Sequence, residues 1–350
     1  MRLGALAAAK ADGLDFLHCL HICMECILKQ AALADLRVSP RITIMASWTT
    51  KDIPDLSGKL AIVTGATGGL GLETALRLAQ AGGEVILAGR NADKGRTAEA
   101  LVRGQCANAT ARFEMVDLAS LASIAAFADR ILTAGRPIDI LVNNAGVMAL
   151  AKRETTADGF ERQFGTNYLS HFALTARLLP LLSVAKARVV QLSSIAHRNG
   201  TIRLDDLNYE AGYKPWPVYS QSKLAMLMFA LELGRRSDAH GWGLTSVAAH
   251  PGVATTDLMA NGPGAGGGIM AWISGMAVNV IGQPVAQGAL PQVMAAAMPD
   301  VSGGRYFGPQ GFQELKGVPG PAKIEPQALN AAVAAKLWAA SETLTGVTFG

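Results

Sequence analysis

The residues best placed to do chemistry are Ser194, which closes the apolar run 187–194, and the downstream pair Tyr219 and Lys223. Tyr219 and Lys223 stand at i and i+4, so both side chains share one helix face. A free tyrosine ionises near pH 10 and is a poor acid–base catalyst at neutrality. A lysine ammonium beside it favours the phenolate. Lowering the phenol pKa by roughly 3 units needs about 4 kcal/mol of differential stabilisation, within reach of charges in a dry cleft. Tyr-x3-Lys recurs by chance, so the pair gains meaning from what surrounds it.

A second constellation lies near residue 65. The run KLAIVTG (59–65) reads as a buried strand, and Thr64-Gly65-Ala66-Thr67-Gly68-Gly69-Leu70-Gly71 leads from it into a helix. Gly65 suits a tight turn, Gly69 lets backbone approach a pyrophosphate, and Gly71 permits close helix–strand packing. The helix N-terminus then offers free N–H groups and partial positive charge to phosphates. A mere glycine-rich turn in a chain with 38 glycines is the alternative; the strand–turn–helix context favours the dinucleotide. The second strand ends Ala88-Gly89-Arg90-Asn91, with no acid to hold a ribose 2′-hydroxyl. An arginine there accommodates a 2′-phosphate, which favours NADP(H), with NAD(H) the weaker alternative. Arg90 as an ordinary exposed helix-start arginine is the competing explanation. A bound oxidised nicotinamide would add its positive charge to the cleft of Tyr219. Asn143 and Asn144 end another apolar strand, where burying two amides without partners is costly.

The elements that carry these residues alternate. Apolar runs at 59–65, 84–89, 112–117, 138–146, 187–194 and 244–252 are separated by helical patterns over 69–81, 93–102, 121–132, 160–182 and 220–235. Uninterrupted Val/Ile/Leu strands alternating with helices predict an α/β fold. The expected form is one doubly wound Rossmann domain over 46–350, with a parallel sheet of about seven strands and helices on both faces.

Half of the 350 residues are hydrophobic and 17% are charged, which excludes a disordered chain. Net charge is +4 without basic clustering, so no nucleic-acid partner is expected. Cys19, Cys23 and Cys26 crowd the start and Cys106 stands alone, which reads as a protein of a reducing, cytoplasmic compartment. No uninterrupted apolar run reaches spanning length, so no transmembrane helix is expected. Residues 1–45 show no strand–helix alternation and lack the parts of a secretory signal. They are read as an extension: an address, a docked helix, or translation from an early start codon. Its cluster His18-Cys19-x-His21-x-Cys23-x2-Cys26 has metal-ligand types but no standard finger spacing, and no metal is assigned.

The spacing Thr-Gly-x3-Gly-x-Gly resembles the fingerprint of the short-chain dehydrogenase/reductase family, and the likeness runs from about Leu56 to Gly346. The resemblance implies that Gly65, Thr67, Gly69, Leu70, Gly71 and Arg90 bind the cofactor. It puts Asp117 and Leu118 beside the adenine, although a lone strand-end Asp is also an ordinary helix cap. Asn143-Asn144-Ala145-Gly146 matches the family's Asn-Asn-Ala-Gly motif unchanged, with Asn144, Ala145 and Gly146 at the cofactor. In His250-Pro251-Gly252-Val253-Ala254-Thr255-Thr256, the Val253 backbone and the Thr256 side chain would meet the nicotinamide carboxamide. The catalytic set it implies is Asn167, Ser194, Tyr219 and Lys223. Tyr219 would be the general acid/base, Ser194 would position the substrate oxygen, and Lys223 would tune Tyr219 and hold the nicotinamide ribose. Asn167 would anchor a relay water. His250 is read as a satisfied strand-end histidine.

The insert Ile195–Val218, the sequence Ser-Ser-x-Ala-His, Gly303–Pro309 and the ending Leu337-Trp338-x3-Ser341-Glu342-x-Leu344-Thr345-Gly346 look like the retinol dehydrogenase-like branch. The implied reaction is hydride transfer between nicotinamide C4 and the carbonyl carbon of a hydrophobic aldehyde, ketone or alcohol. A non-catalytic NADP-binding sensor on the same fold is the alternative, but a sensor has no need of Ser194, Tyr219 and Lys223 together. The apolar stretch 261–285 falls where the family places a substrate lid. It suits an apolar substrate and peripheral membrane contact, or equally a packed helix pair or an oligomer interface.

Overall fold

The computed structural model describes residues 48–106, 110–254 and 282–350. The extension with its cysteine–histidine cluster, Thr256, and all of the expected lid before 282 lie outside the described residues. Six apolar runs form strands where the sequence puts them: β1 Leu60–Thr64, β2 Glu84–Gly89, β3 Ala111–Met115, β4 Ile140–Asn143, β5 Arg188–Leu192 and β6 Thr245–Ala249. Two more follow, β7 Tyr306–Pro309 and β8 Pro319–Pro321. The sheet has eight strands in the order β3-β2-β1-β4-β5-β6-β7-β8. All neighbours pair parallel except β7 and β8, which are antiparallel. The fold is the expected doubly wound one, with an extra edge strand. Pro-Gly-Pro lacks β propensity and an apolar run, so β8 has no signature in the sequence.

The helices are α1 Gly69–Gln80, α2 Ala92–Gln105, α3 Leu121–Ala134, α4 Arg162–Ala185, α5 Pro215–His240, α6 Val285–Gly288, α7 Leu290–Ala297 and α8 Ala331–Thr345. Helix α5 starts inside the long insert because Pro215 is well suited to a first helical turn, having no N–H to leave unpaired. Strand pleating sends alternate residues to opposite faces of the sheet. Leu60 and Ile62 join one core with Phe127, Phe172, Phe229 and Trp338 from α3, α4, α5 and α8. Ala61 and Val63 join the other, with Leu78 of α1, Val102 of α2 and Met294 of α7.

Helix α4 is apolar enough by composition to cross a membrane, at mean hydropathy 1.2, yet it lies mostly buried inside the protein. Phe172 packs on Trp338 at 5.0 Å and on Phe349 at 5.1 Å between ring centroids, so its apolarity is spent on the core. The strand order reverses between β1, which turns back to β2, and β4, which runs on to β5. In open α/β sheets the carboxyl ends of the strands at such a reversal form the ligand crevice.

Candidate active site

At that crevice β1 ends in Thr64 and the chain turns through Gly65, whose φ of +67° lies in the left-handed region. A Cβ on Gly65 would stand 3.0 Å from the Ala145 Cα, so the β1 and β4 turns touch there. A Cβ on Gly71 would come within 2.5 Å of the Gly65 carbonyl oxygen and of Asn144 Nδ2. Gly71 therefore serves close packing. Gly69 differs, because nothing lies within 4 Å of its added Cβ. No side chain caps the start of α1. Open space before uncapped helical N–H groups fits a pyrophosphate, and the residues present suit a dinucleotide.

Around this cradle Asn144 donates from Nδ2 to the Thr64 carbonyl at 2.7 Å. The N–H groups of Asn144 and Ala145 donate to Thr64 Oγ1 at 2.9 and 3.0 Å. Asn143 points elsewhere: its Nδ2 donates to Thr175 Oγ1 and to Gln191 Oε1, both at 3.0 Å. The paired asparagines thus brace β4 against its neighbours through their amide nitrogens, while the buried Asn143 Oδ1 has no partner among the described residues. Thr67 lies against Gly89, where an added Cβ would be 2.7 Å from its methyl. Arg90 follows β2, is exposed, and has no ion-pair partner among the described residues. Asp117 Oδ1 accepts from the Ala119 N–H at 3.0 Å, which shapes the turn after β3, and Leu118 beside it is buried.

The catalytic candidates come together beyond the ends of β4 and β5. Tyr219 and Lys223, both buried, occupy one face of α5, with Lys223 Nζ 5.9 Å from the centre of the Tyr219 ring. Ser194 caps the 3-10 turn Ile195–Asn199 and lies close enough to the Tyr219 phenol to lower its pKa. Ser193 instead donates to the Lys223 carbonyl at 2.7 Å, tying β5 to α5. Lys223 Nζ donates to the Leu192 carbonyl at 3.0 Å. Gly146 leaves room for it, since a Cβ there would lie 3.4 Å from Nζ and 3.0 Å from Asn167 Oδ1.

Burial dominates the titration of both groups. It pushes the Tyr219 phenol up to about 12 against a smaller opposing effect of Ser194, and brings Lys223 down to about 8. The phenol is thus raised, not lowered, by its surroundings in the protein itself, because desolvation disfavours the charged phenolate.

Asn167 lies within the long helix α4, in a π-helical turn, Gly165–Leu169. Its Oδ1 accepts from the Val147 N–H at 2.7 Å, while Nδ2 donates to the Val147 carbonyl and to Ser222 Oγ, each at 2.9 Å. The amide is spent on positioning the chain after Gly146 and the serine beside Lys223. Its main-chain carbonyl meets the His171 ring at 2.8 Å. Val253 is also committed: its N–H donates to the Leu315 carbonyl at 2.7 Å and its carbonyl accepts from Gln283 at 2.8 Å. The next residue, Ala254, bridges Gln283 in parallel, and its own N–H and C=O have no bond among the described residues. His250 is held by Glu314 at 2.9 Å, and Glu314 also pairs with Arg198 at 2.7 Å. Among the described residues no cluster of His, Cys, Asp or Glu could hold a metal ion.

The short-chain dehydrogenase family model matches residues 59–263. The chain belongs to this family. Mouse polyprenol dehydrogenase is 39% identical over 85% of this chain and 87% of its own. Human retinol dehydrogenase 13 is 41% identical over 83% and 86%. An uncharacterised protein of Mycobacterium paratuberculosis, solved by crystallography, superposes with a TM-score of 0.71 at 38% identity, over 87% of this chain and 99% of its own. This short-chain dehydrogenase is therefore an oxidoreductase of the retinol dehydrogenase-like kind, acting on CH–OH groups with a nicotinamide dinucleotide. Sequence reasoning missed His171, which joins Asn167 to Thr64. Its spacing of four from Asn167 on one helix face was the available signal.

Proposed function

We propose that this short-chain dehydrogenase interconverts a carbonyl and an alcohol on a hydrophobic small molecule, using NADP(H), with Tyr219 as general acid/base. The observation that carries the reading is the burial of Tyr219 and Lys223 on one face of α5, with Nζ 5.9 Å from the phenol ring centre, beside the end of β5 that carries Ser194. Bound there, the cofactor supplies or accepts the hydride. Gly65, Thr67, Gly69, Leu70 and Gly71 hold its pyrophosphate, and Asp117 and Leu118 flank the adenine. Asn144, Ala145 and Gly146 line the floor of the crevice. Lys223 reaches the nicotinamide ribose. The backbone at Val253 meets the carboxamide, alongside Thr256.

In reduction, Ser194 donates a hydrogen bond to the substrate oxygen and holds it beside Tyr219. Tyr219 then gives its proton to that oxygen as charge develops on it. A phenol kept protonated by burial suits this direction. The second lone pair of the Asn167 carbonyl, whose first accepts from His171, receives a water through which Lys223 exchanges protons with solvent. The substrate class is supported by relatives whose names are retinol and polyprenol dehydrogenases, both acting on apolar alcohols. An apolar substrate suits a cytoplasmic enzyme with peripheral membrane contact, and the segment 261–285 is the lid in this reading.

The test is NADPH oxidation across a series of apolar aldehydes and ketones. Turnover that rises with chain length is expected, and no turnover on any carbonyl would end the proposal. Cofactor choice has its own test. Charge-assisted bonds to phosphate are worth about 1.5–3 kcal/mol, so Arg90→Ala is expected to weaken NADPH about 10- to 100-fold and leave NADH unaffected. Fluorescence titration of both cofactors measures it; equal NADPH affinity in the variant would refute the 2′-phosphate role.

A further inference from the structure

His171 lies on α4, fully buried, with both ring nitrogens bonded to groups of the candidate site. Nδ1 is 2.8 Å from the main-chain carbonyl of Asn167, and Nε2 is 2.9 Å from Thr64 Oγ1. A carbonyl only accepts, so Nδ1 must carry the hydrogen. Nε2 then has a lone pair, and the Thr64 hydroxyl donates to it. The competing acceptor for that hydroxyl, the Val142 carbonyl, is 3.4 Å away. With its hydrogen on the ring, Thr64 Oγ1 turns its two lone pairs to the N–H groups of Asn144 and Ala145. Every donor and acceptor is then matched. The other tautomer would set an Nδ1 lone pair against the Asn167 carbonyl and drive a third donor onto Thr64.

The π turn explains why the ring is needed. It shifts a backbone bond from i−4 to i−5, with the Ser170 N–H reaching the Gly165 carbonyl. A widened turn of this kind is poorly held by its own ladder, and this one must aim the Asn167 amide at Val147 and Ser222. Thr175 secures the same turn of α4 from below, donating to the His171 carbonyl at 2.7 Å and receiving Asn143.

We propose that His171, as the neutral Nδ1–H tautomer, is a positioning residue that couples the turn carrying Asn167 to the strand end carrying the dinucleotide loop. This deepens the reading given under Proposed function and rests on it for its kinetic consequences. One ring nitrogen serves the proton-transfer side, and the other serves the cofactor side.

Two substitutions separate them. An asparagine amide overlies Nδ1 and a glutamine amide overlies Nε2. His171→Gln keeps a partner for Thr64 and leaves the Asn167 carbonyl without its donor. It is expected to lower kcat about tenfold, the loss of one buried hydrogen bond, with KM for NADPH little changed. His171→Asn is expected to do the reverse, with the larger change in KM. Equal losses in both parameters for both variants would reduce His171 to a packing residue and overturn the proposal.

A readout independent of turnover is the long-range proton–nitrogen spectrum of the imidazoles in the full-length protein, with His171→Gln assigning the signal. A neutral Nδ1–H ring at pH 7 is expected; an Nε2–H ring or an imidazolium overturns the tautomer assignment. If the wild-type protein reduces no carbonyl, the functional reading fails while this spectrum still decides the network. Should both His171 variants fail to fold, Thr64→Val keeps the shape and removes the hydroxyl. It is expected to weaken NADPH binding about tenfold, and unchanged binding overturns the coupling.

Discussion

Tyr219→Phe is expected to lower kcat by about 10²- to 10⁴-fold, the usual contribution of a positioned general acid or base. The substitution removes one hydroxyl and keeps the ring, which packs edge-on to Trp216 at 6.0 Å and under Lys223. Stability and NADPH affinity should therefore stay near wild type, so the effect isolates proton transfer. Steady-state rates of NADPH oxidation, paired with a cofactor titration, measure it. A Phe variant that keeps its rate would remove Tyr219 from the mechanism. The direction of reaction sharpens the test. With its pKa pushed up to about 12 by burial, the phenol is protonated through neutrality and ready to donate. Alcohol oxidation needs the phenolate, so its rate should rise with pH while carbonyl reduction holds level. Parallel profiles in the two directions would mean that burial does not govern this group.

The contrast between Tyr219 and Asn167 shows what sequence can reveal. Gly65, Gly69 and Gly71 fill their positions through strand–turn–helix geometry, which is local and therefore legible. Tyr219 and Lys223 are legible for the same reason, because helical spacing fixes their shared face. Asn167 was recognisable as a polar residue in a helix, but the π turn that directs its amide to Val147 and Ser222 leaves no mark in spacing. The pairing of His250 with Glu314 is invisible as well, since it joins loops 64 residues apart. So is the commitment of Val253 to Leu315. Spacing identifies what one element can present; partners from distant loops decide what remains free.

Acid should destabilise the protein strongly. Burial lowers His171 and His197 to about 4 from the ordinary 6.5, in both cases against a hydrogen bond that raises them. A base whose folded pKa is depressed binds fewer protons folded than unfolded. Its neutral form contributes fully above pH 6.5, and that contribution is lost as pH falls from there through about 4. Each lowering is worth on the order of 3 kcal/mol, so the pair rivals the about 5–15 kcal/mol net stability of a typical domain. His250 is lowered by burial too, and Glu314 is held below its usual range by His250 and Arg198, so both add to the loss in acid. Glu161 opposes it. Burial raises its carboxyl, so protonation on acidification relieves a cost. Two strongly lowered imidazoles outweigh one raised carboxyl, and urea midpoints measured between pH 7 and pH 5 should fall steeply. A midpoint that stays level across this range would mean that His171 and His197 accept protons without unfolding. That result would leave Thr64 without its acceptor and the Asn167 turn without the neutral ring that holds it.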